Sequence, residues 1–370
     1  MKILVSGILL YEKLSNISKM FDKISSDSVM SNLKFTIYVD HLKLQAMNER
    51  ISLTEDIYGI STDIACDQTF SFLVDAKTII QFFKTHQFDV CIELMNNFDI
   101  KFVYDNGSFS SIWFDDKVFP DFFYPSSSNH VSLDSSSFIS SIKRSFSFVG
   151  DDEFRPAIET VLINVKEGHI DIVSTDLQRL FVSRSEIENK SIDSSIMLSK
   201  MAASVLYNYL SGKKTNMDIS SDGIRTYLVF DNVIISDMNT EYKYPNYEYV
   251  CNNFRHTSKI KTDRDTILNS LDAVSIVNNF IDVMVDGEGY IKVKSEDSGN
   301  RKSMMEKLSC DIIDGSPFSF TIKKENIASS IKSLLKGDII LEYSDNSKSI
   351  KMYNPKKEDT YILNQTFVSY

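Results

Sequence analysis

The sequence predicts an α+β protein built from three repeated domains, each with two helices packed on antiparallel sheets. Two observations carry that reading. A strand-turn-strand frame recurs in letters as NLKFTIYVDHLKLQAMNERISL, TVLINVKEGHIDIVSTDLQRLFVS and FIDVMVDGEGYIKVKSE. His41, His169 and Tyr290 hold corresponding places in it, roughly 120–130 residues apart, which is a whole-domain period and not that of a solenoid. The second observation is that the frames alternate with segments of helical apolar spacing in the same order each time. The domains are read as 1–127, 128–253 and 254–370, with linkers at Pro125–Ser128 and Cys251–Thr257.

The first repeat opens with a strand in MKILVS that runs into a helix. Over Tyr11–Ile24, residues Leu14, Ile17, Met20, Phe21 and Ile24 form one apolar stripe, with Lys13, Lys19 and Lys23 off it. Alternation marks strands at Asn32–Val39, His41–Gln45 and Arg50–Ile57. Asp75 is placed as the N-cap of a helix through His86. Strands follow at Val90–Leu94, Asp99–Tyr104 and Ser108–Phe114, with Asp105-Asn106-Gly107 as a hairpin turn.

In the second repeat Asp134 caps a helix reaching Phe148, with Lys143 and Arg144 on its polar side. Val161, Ile163 and Val165 alternate, Lys166-Glu167-Gly168 turn the chain, and Ile170, Ile172 and Ser174 return. A third strand covers Phe181–Ser185. The second helix, Leu198–Ser211, is stopped by Gly212, and strands at Asn216–Ile219, Gly223–Phe230 and Val233–Asp237 finish the repeat. The third repeat reads as a helix at Asp263–Asn278, strands at Ile281–Val285, Tyr290–Ser295 and Ser309–Ile313, a helix at Lys324–Lys336, and strands at Asp338–Tyr343, Ser349–Tyr353 and Asp359–Leu363.

The chain of 370 residues has 42% hydrophobic residues and a formal charge of -11, the composition of a globular protein. A net acidic chain argues against nucleic acid unless its cations gather on one surface. Cys66, Cys91, Cys251 and Cys310 are far apart and read as reduced thiols. The five histidines lack zinc-ligand spacing. No apolar run approaches the ~20 residues of a membrane span, and Glu12 and Lys13 interrupt the N-terminal apolar run. A cytoplasmic location is expected.

One stretch is more specific than the rest. Arg155-Pro156 is followed by Val161-Leu162, a hairpin, Ser174-Thr175-Asp176 and, two residues on, Arg179-Leu180. This resembles the middle domain of the bacterial sliding clamp, the beta subunit of DNA polymerase III, where the family pattern is close to ATDGHRLA. Leu177 and Gln178 stand here in place of the usual Gly-His. Tyr244-Pro245-Asn246-Tyr247 resembles the family's FPDY. The resemblance implies three DNA-clamp domains per chain, two chains closing head to tail into a ring, and helices lining the hole. It implies a non-catalytic processivity factor with no cofactor that encircles double-stranded DNA. Its partners would be the replicative polymerase and clamp-loader subunits, bound through a short apolar peptide.

Site residues follow from the same resemblance. The partner-peptide pocket would use Ile158, Thr175, Leu177, Arg179 and Leu180, then Pro245, Tyr249 and Val250, then Ser347, Ser349, Ile362, Asn364, Gln365 and Thr366. Tyr249 stands where the family often has Arg. The tail YILNQTFVSY lacks the family's MPMR, which implies a more polar pocket rim, and Ser25–Ser31 lacks its arginine-proline. The DNA-facing cations would be Lys13, Lys19, Lys23, Lys77, Lys84, Lys143, Arg144, Arg155, Lys200, Lys261, Arg264 and Lys332, with Lys336 beside them. A dimer seam would use Phe109 against Ile276 and Val277.

Two other classes compete. Asp151, Asp152, Glu153, Asp171 and Asp176 suggest a two-metal nuclease, although no phosphate loop or hydrolase motif accompanies them. A clamp-fold binding module that does not encircle DNA is the other.

Overall fold

The structure, a computed structural model, describes residues 1–22, 24–65, 68–95, 97–125, 130–187 and 193–367. Lys23, Cys66 and the Ser126–Ser128 part of the expected first linker lie outside the described residues.

One element order recurs three times. The first pass is β1 (Lys2–Ser6), α1 (Gly7–Ile17), β2 (Asn32–Ile37), β3 (His41–Met47), β4 (Ile51–Tyr58), β5 (Ser61–Thr62), β6 (Phe70–Asp75), α2 (Ala76–Thr85), β7 (Asp89–Leu94), β8 (Asp99–Tyr104) and β9 (Gly107–Ile112). The second is β10 (Val131–Asp134), α3 (Ile139–Ser145), β11 (Thr160–Lys166), β12 (His169–Thr175), β13 (Arg179–Glu186), β14 (Ser194–Ser199), α4 (Lys200–Leu210), β15 (Asn216–Ser221), β16 (Arg225–Phe230) and β17 (Val233–Met238). A short helix, α5 (Tyr247–Asn253), precedes the third. That pass is β18 (Ser258–Asp263), α6 (Arg264–Val274), β19 (Phe280–Val285), β20 (Tyr290–Asp297), β21 (Lys302–Ser309), β22 (Asp311–Gly315), β23 (Phe318–Lys323), α7 (Lys324–Ser333), β24 (Asp338–Ser344), β25 (Ser349–Asn354) and β26 (Lys357–Gln365).

Local chemistry explains many boundaries. The Asp75 carboxylate accepts from Thr78 N at 2.8 Å and starts α2. Glu167 and Gly168 both take positive φ, 52° and 83°, the backbone of a tight hairpin turn that matches strand twist. The expected single helix from Asp134 to Phe148 is instead a 3₁₀ turn, α3 and a second 3₁₀ turn. Its serines favour backbone-bonded turns over helix interior, and the Asp134 carboxylate accepts from Ser136 N. Strands β5, β6, β10, β14, β18, β21 and β23 were not expected, and helix α5 occupies part of the expected second linker.

The fold divides the chain into two compact units. One is Met1–Ile139 with Met201–Asn239, the other Ser140–Lys200 with Thr240–Tyr370. These units cut across the repeats because sheets run on from one repeat into the next. In the first unit β17 pairs with β4, giving the order β10-β15-β16-β17-β4-β3-β2-β6 beside a smaller sheet β5-β1-β7-β8-β9. In the second, β13 pairs with β26, giving β14-β11-β12-β13-β26-β25-β24-β18-β22 beside β21-β20-β19-β23. Helices α1 and α2 pack together, as do α6 and α7. Their buried faces, such as Leu10, Leu14, Ile79 and Phe83, or Ile267, Leu271, Ile327 and Ile331, close the cores.

Candidate functional site

The site begins at the β12–β13 turn. The Asp176 carboxylate accepts from Gln178 N at 3.0 Å and Arg179 N at 2.6 Å, so the side chain itself folds the turn. Its other oxygen accepts from Arg179 Nε at 2.8 Å. Thr175 Oγ1 donates to Arg179 O and accepts from Leu177 N. Pairing with β26 sets Arg179 opposite Asn364 and Leu180 opposite Leu363.

A second wall comes from α5. Asn246 caps it by accepting from Tyr249 N at 3.0 Å. The helix is held to the sheet by Tyr247, whose hydroxyl donates to the buried Asp171 at 2.9 Å and accepts from Asn164 at 2.8 Å. Arg184 holds Asp171 in a two-pronged ion pair, both bonds 2.8 Å. Burial first, then the neighbouring Asp171 charge, pushes the Tyr247 phenol above its ordinary range, so it stays a donor. Beneath both walls Leu162, Val173, Leu180, Val182, Tyr247 and Leu363 form one buried cluster.

Between the walls lies a groove of about 370 Å³. Thr175, Leu177, Arg179 and Leu180 line one side, Pro245, Tyr249 and Val250 another, and Ser347, Ser349, Asn364 and Gln365 the end. All lie within the second compact unit. Three residues expected there do not line it. Ile158 is buried against Gly150. Ile362 points to the opposite face of β26, because strand side chains alternate, and Leu363 takes the groove position. Thr366 is buried beyond the end of β26. Sequence reasoning also missed Asn253 and Phe254, which reach the groove from the end of α5. The apolar spacing of Tyr247, Val250, Cys251 and Phe254 was the available signal. Asn364 is buried and its amide bonds Ser330 and Asn326 of α7, so the polar character of the rim falls mainly to Gln365.

The expected DNA-facing cations divide into two groups. Lys19, Lys77, Lys84, Lys143, Lys200, Lys332 and Lys336 are exposed. The others are engaged. Lys13 forms an ion pair at 2.8 Å with Glu55, a carboxylate with no solvent exposure. Arg144 is half-buried and donates to Ser141. Arg155 pairs with Asp152 at 2.9 Å. Lys261 lies on β18, not on a helix, and pairs with Asp311. Arg264 donates to the carbonyls of Ile331 and Lys332, which satisfies the last turn of α7. A buried carboxylate captures Lys13 and a helix end captures Arg264, whereas Arg155 and Lys261 make surface ion pairs with side chains 61% and 37% exposed.

Phe109 lies on β9, an edge strand, and stacks on Phe82 and Phe102. Ile276 follows α6 and is 80% exposed; Val277 is half-buried. Of the carboxylates of the nuclease reading, Asp171 is held by Arg184, Asp176 by Arg179 and Asp152 by Arg155. Among the described residues no group of three or more His, Cys, Asp or Glu is placed to hold a metal. No helix among them is long and apolar enough to cross a membrane.

Three passes through one strand and helix order, with sheets continued from pass to pass, define the fold of a sliding clamp. The chain is similar over 100% of both lengths to solved structures of that kind. They include the DNA polymerase III beta subunit of Thermotoga maritima (15% identity, TM-score 0.89). The DNA polymerase sliding clamp of Bacillus subtilis (16%, 0.87) and the Helicobacter pylori beta clamp bound to a DNA ligase peptide (16%, 0.83) are others. No family model matches the chain, and neither does any curated protein.

Proposed function

We propose that the chain is a DNA sliding clamp: a non-catalytic homodimer, each chain of three domains, that encircles duplex DNA and tethers the replicative polymerase. The observation that carries this is the groove. Residues as distant as Thr175, Pro245, Ser347 and Gln365 converge on it, at the positions the sequence resemblance assigns to partner binding. The Helicobacter pylori clamp of the same fold holds a DNA ligase peptide. A short apolar peptide resembling Gln-Leu-x-Leu-Phe, from a polymerase or clamp-loader subunit, is the ligand proposed here.

The test of encirclement is retention on circular DNA after loading, compared with the same DNA linearised. A clamp stays on the circle and slides off the ends; equal retention on both would refute encirclement. Direct binding to phosphate is tested at Lys77 and Lys200, which are exposed. In Lys77→Glu/Lys200→Glu, binding at low salt weakens and the log-log salt slope falls by about 0.9 for each phosphate no longer neutralised. An unchanged slope places these side chains away from DNA.

The groove is tested with Val250→Asp. Val250 is 48% exposed, so the change spares the core, whereas Leu180, only 6% exposed, belongs to the buried cluster. Burying an apolar anchor is worth roughly 1.5–3 kcal/mol. Val250→Asp should therefore weaken peptide binding at least about tenfold with the thermal midpoint unchanged. Equal affinity by fluorescence anisotropy would place the peptide elsewhere.

A further inference from the structure

Within the groove one residue has a backbone conformation that its side chain disfavours. Leu177 sits at φ 70°, in the left-handed region that favours glycine. Other non-glycine residues with positive φ occur, among them Phe98, Asp231 and Lys348, but of the described residues with this sign only Leu177 lines the groove. The conformation is held from both sides. Leu177 N donates to Thr175 Oγ1 at 3.0 Å, Asp176 gathers the next two backbone N–H groups, and Gln178 O accepts from Gln365 N at 2.9 Å. The side chain so presented is 43% exposed. An apolar side chain on a disfavoured turn, still wetted by solvent, adds little to folding. Strained backbone maintained at a binding site is a reason to look for its use there.

We infer that Leu177 is a specificity-determining residue of the groove. Its side chain occupies room that a glycine at this turn leaves open, and it adds an aliphatic wall. The groove then takes an uncharged peptide with a slim aliphatic anchor in preference to an aromatic one. This rests on the peptide-groove reading above. The lack of charge has its own basis: of the lining side chains only Arg179 is ionic, and it is paired with Asp176 at 2.8 Å. The rest are apolar, hydroxyl or amide groups, which suit peptide backbone and neutral side chains.

Fluorescence anisotropy on the full chain tests this with two labelled probes, Gln-Leu-Ser-Leu-Phe and Gln-Leu-Ser-Leu-Leu. Wild type is expected to bind the Leu-ended probe more tightly. In Leu177→Gly the ratio of the two affinities moves toward the Phe-ended probe by about tenfold, the scale on which a pocket discriminates size. Leu177→Ala moves the ratio the same way but melts below Leu177→Gly, because Ala keeps the Cβ that the positive φ disfavours. A ratio unchanged between wild type and Leu177→Gly overturns the role of Leu177 while leaving the groove intact. Failure of wild type to bind either probe overturns the groove reading itself.

Discussion

Ile276→Asp is expected to convert a dimer into monomers at micromolar concentration. In the single chain Ile276 is 80% exposed, so its substitution leaves the monomer's core untouched. Among the described residues, strands β9 and β21 are edges of their sheets, each hydrogen-bonded on one side only. Along them Ile112 is 53% and Met305 56% exposed. Unpaired edges with apolar side chains are templates for pairing with another chain. The proposed head-to-tail dimer sets β9 and Phe109 of one copy beside β21, Ile276 and Val277 of the other. A carboxylate introduced at Ile276 would then lose its water without gaining a partner. The dissociation constant should rise about 100-fold or more, equivalent to roughly 3 kcal/mol. Sedimentation decides the matter: wild type near twice 42.3 kDa and the variant near that mass, with equal thermal midpoints for the monomers. A wild-type monomer at that concentration removes the dimer from the proposal.

The second large effect is expected at Lys13. Its side chain is 17% exposed and places the ammonium beside Glu55, whose other oxygen accepts from the Tyr209 hydroxyl at 2.6 Å. Burial raises the Glu55 carboxyl above its ordinary range, and the Lys13 and Tyr209 hydrogen bonds oppose that rise without cancelling it. Removing one partner of a buried pair leaves an uncompensated charge, which costs about 3–5 kcal/mol. Lys13→Ala should lose that much stability at neutral pH by denaturant titration. The loss depends on pH with a definite sign. A carboxyl whose pKa is raised by folding binds its proton more tightly in the folded state, so its penalty is present above that raised pKa and relieved below it. The variant therefore recovers toward wild type as pH falls through the folded-state titration of Glu55. A deficit independent of pH would assign the effect to packing of the Lys13 stem. Unaltered stability at neutral pH would mean that Glu55 finds water or another partner.

Much of this was legible because it is local. The hairpin around Gly168, the Asp75 cap and the turn built by Asp176 each depend on residues a few positions apart, and so did the motif from Arg155 to Leu180. Two of the strands that escaped notice, β6 and β21, lacked that local signal. In β6, Phe72, Leu73 and Val74 are all buried, so no alternation shows. In β21, KSMMEKLS is a polar edge and reads as loop.

The site followed the same division. The resemblance to the clamp family, carried by short runs of neighbouring residues, was enough to assign Thr175, Leu177, Pro245 and Val250 to one pocket. That Leu363 and not Ile362 faces the groove depends on the register of β26 against β13, and a shift of one residue reverses every side chain. That Lys13 is captured depends on Glu55 and Tyr209, which lie far along the chain. Residue types and their spacing carry the short-range preferences of backbone and turn. Register, burial and the pairing of charges are properties of segments brought together only by folding, and no local stretch encodes them.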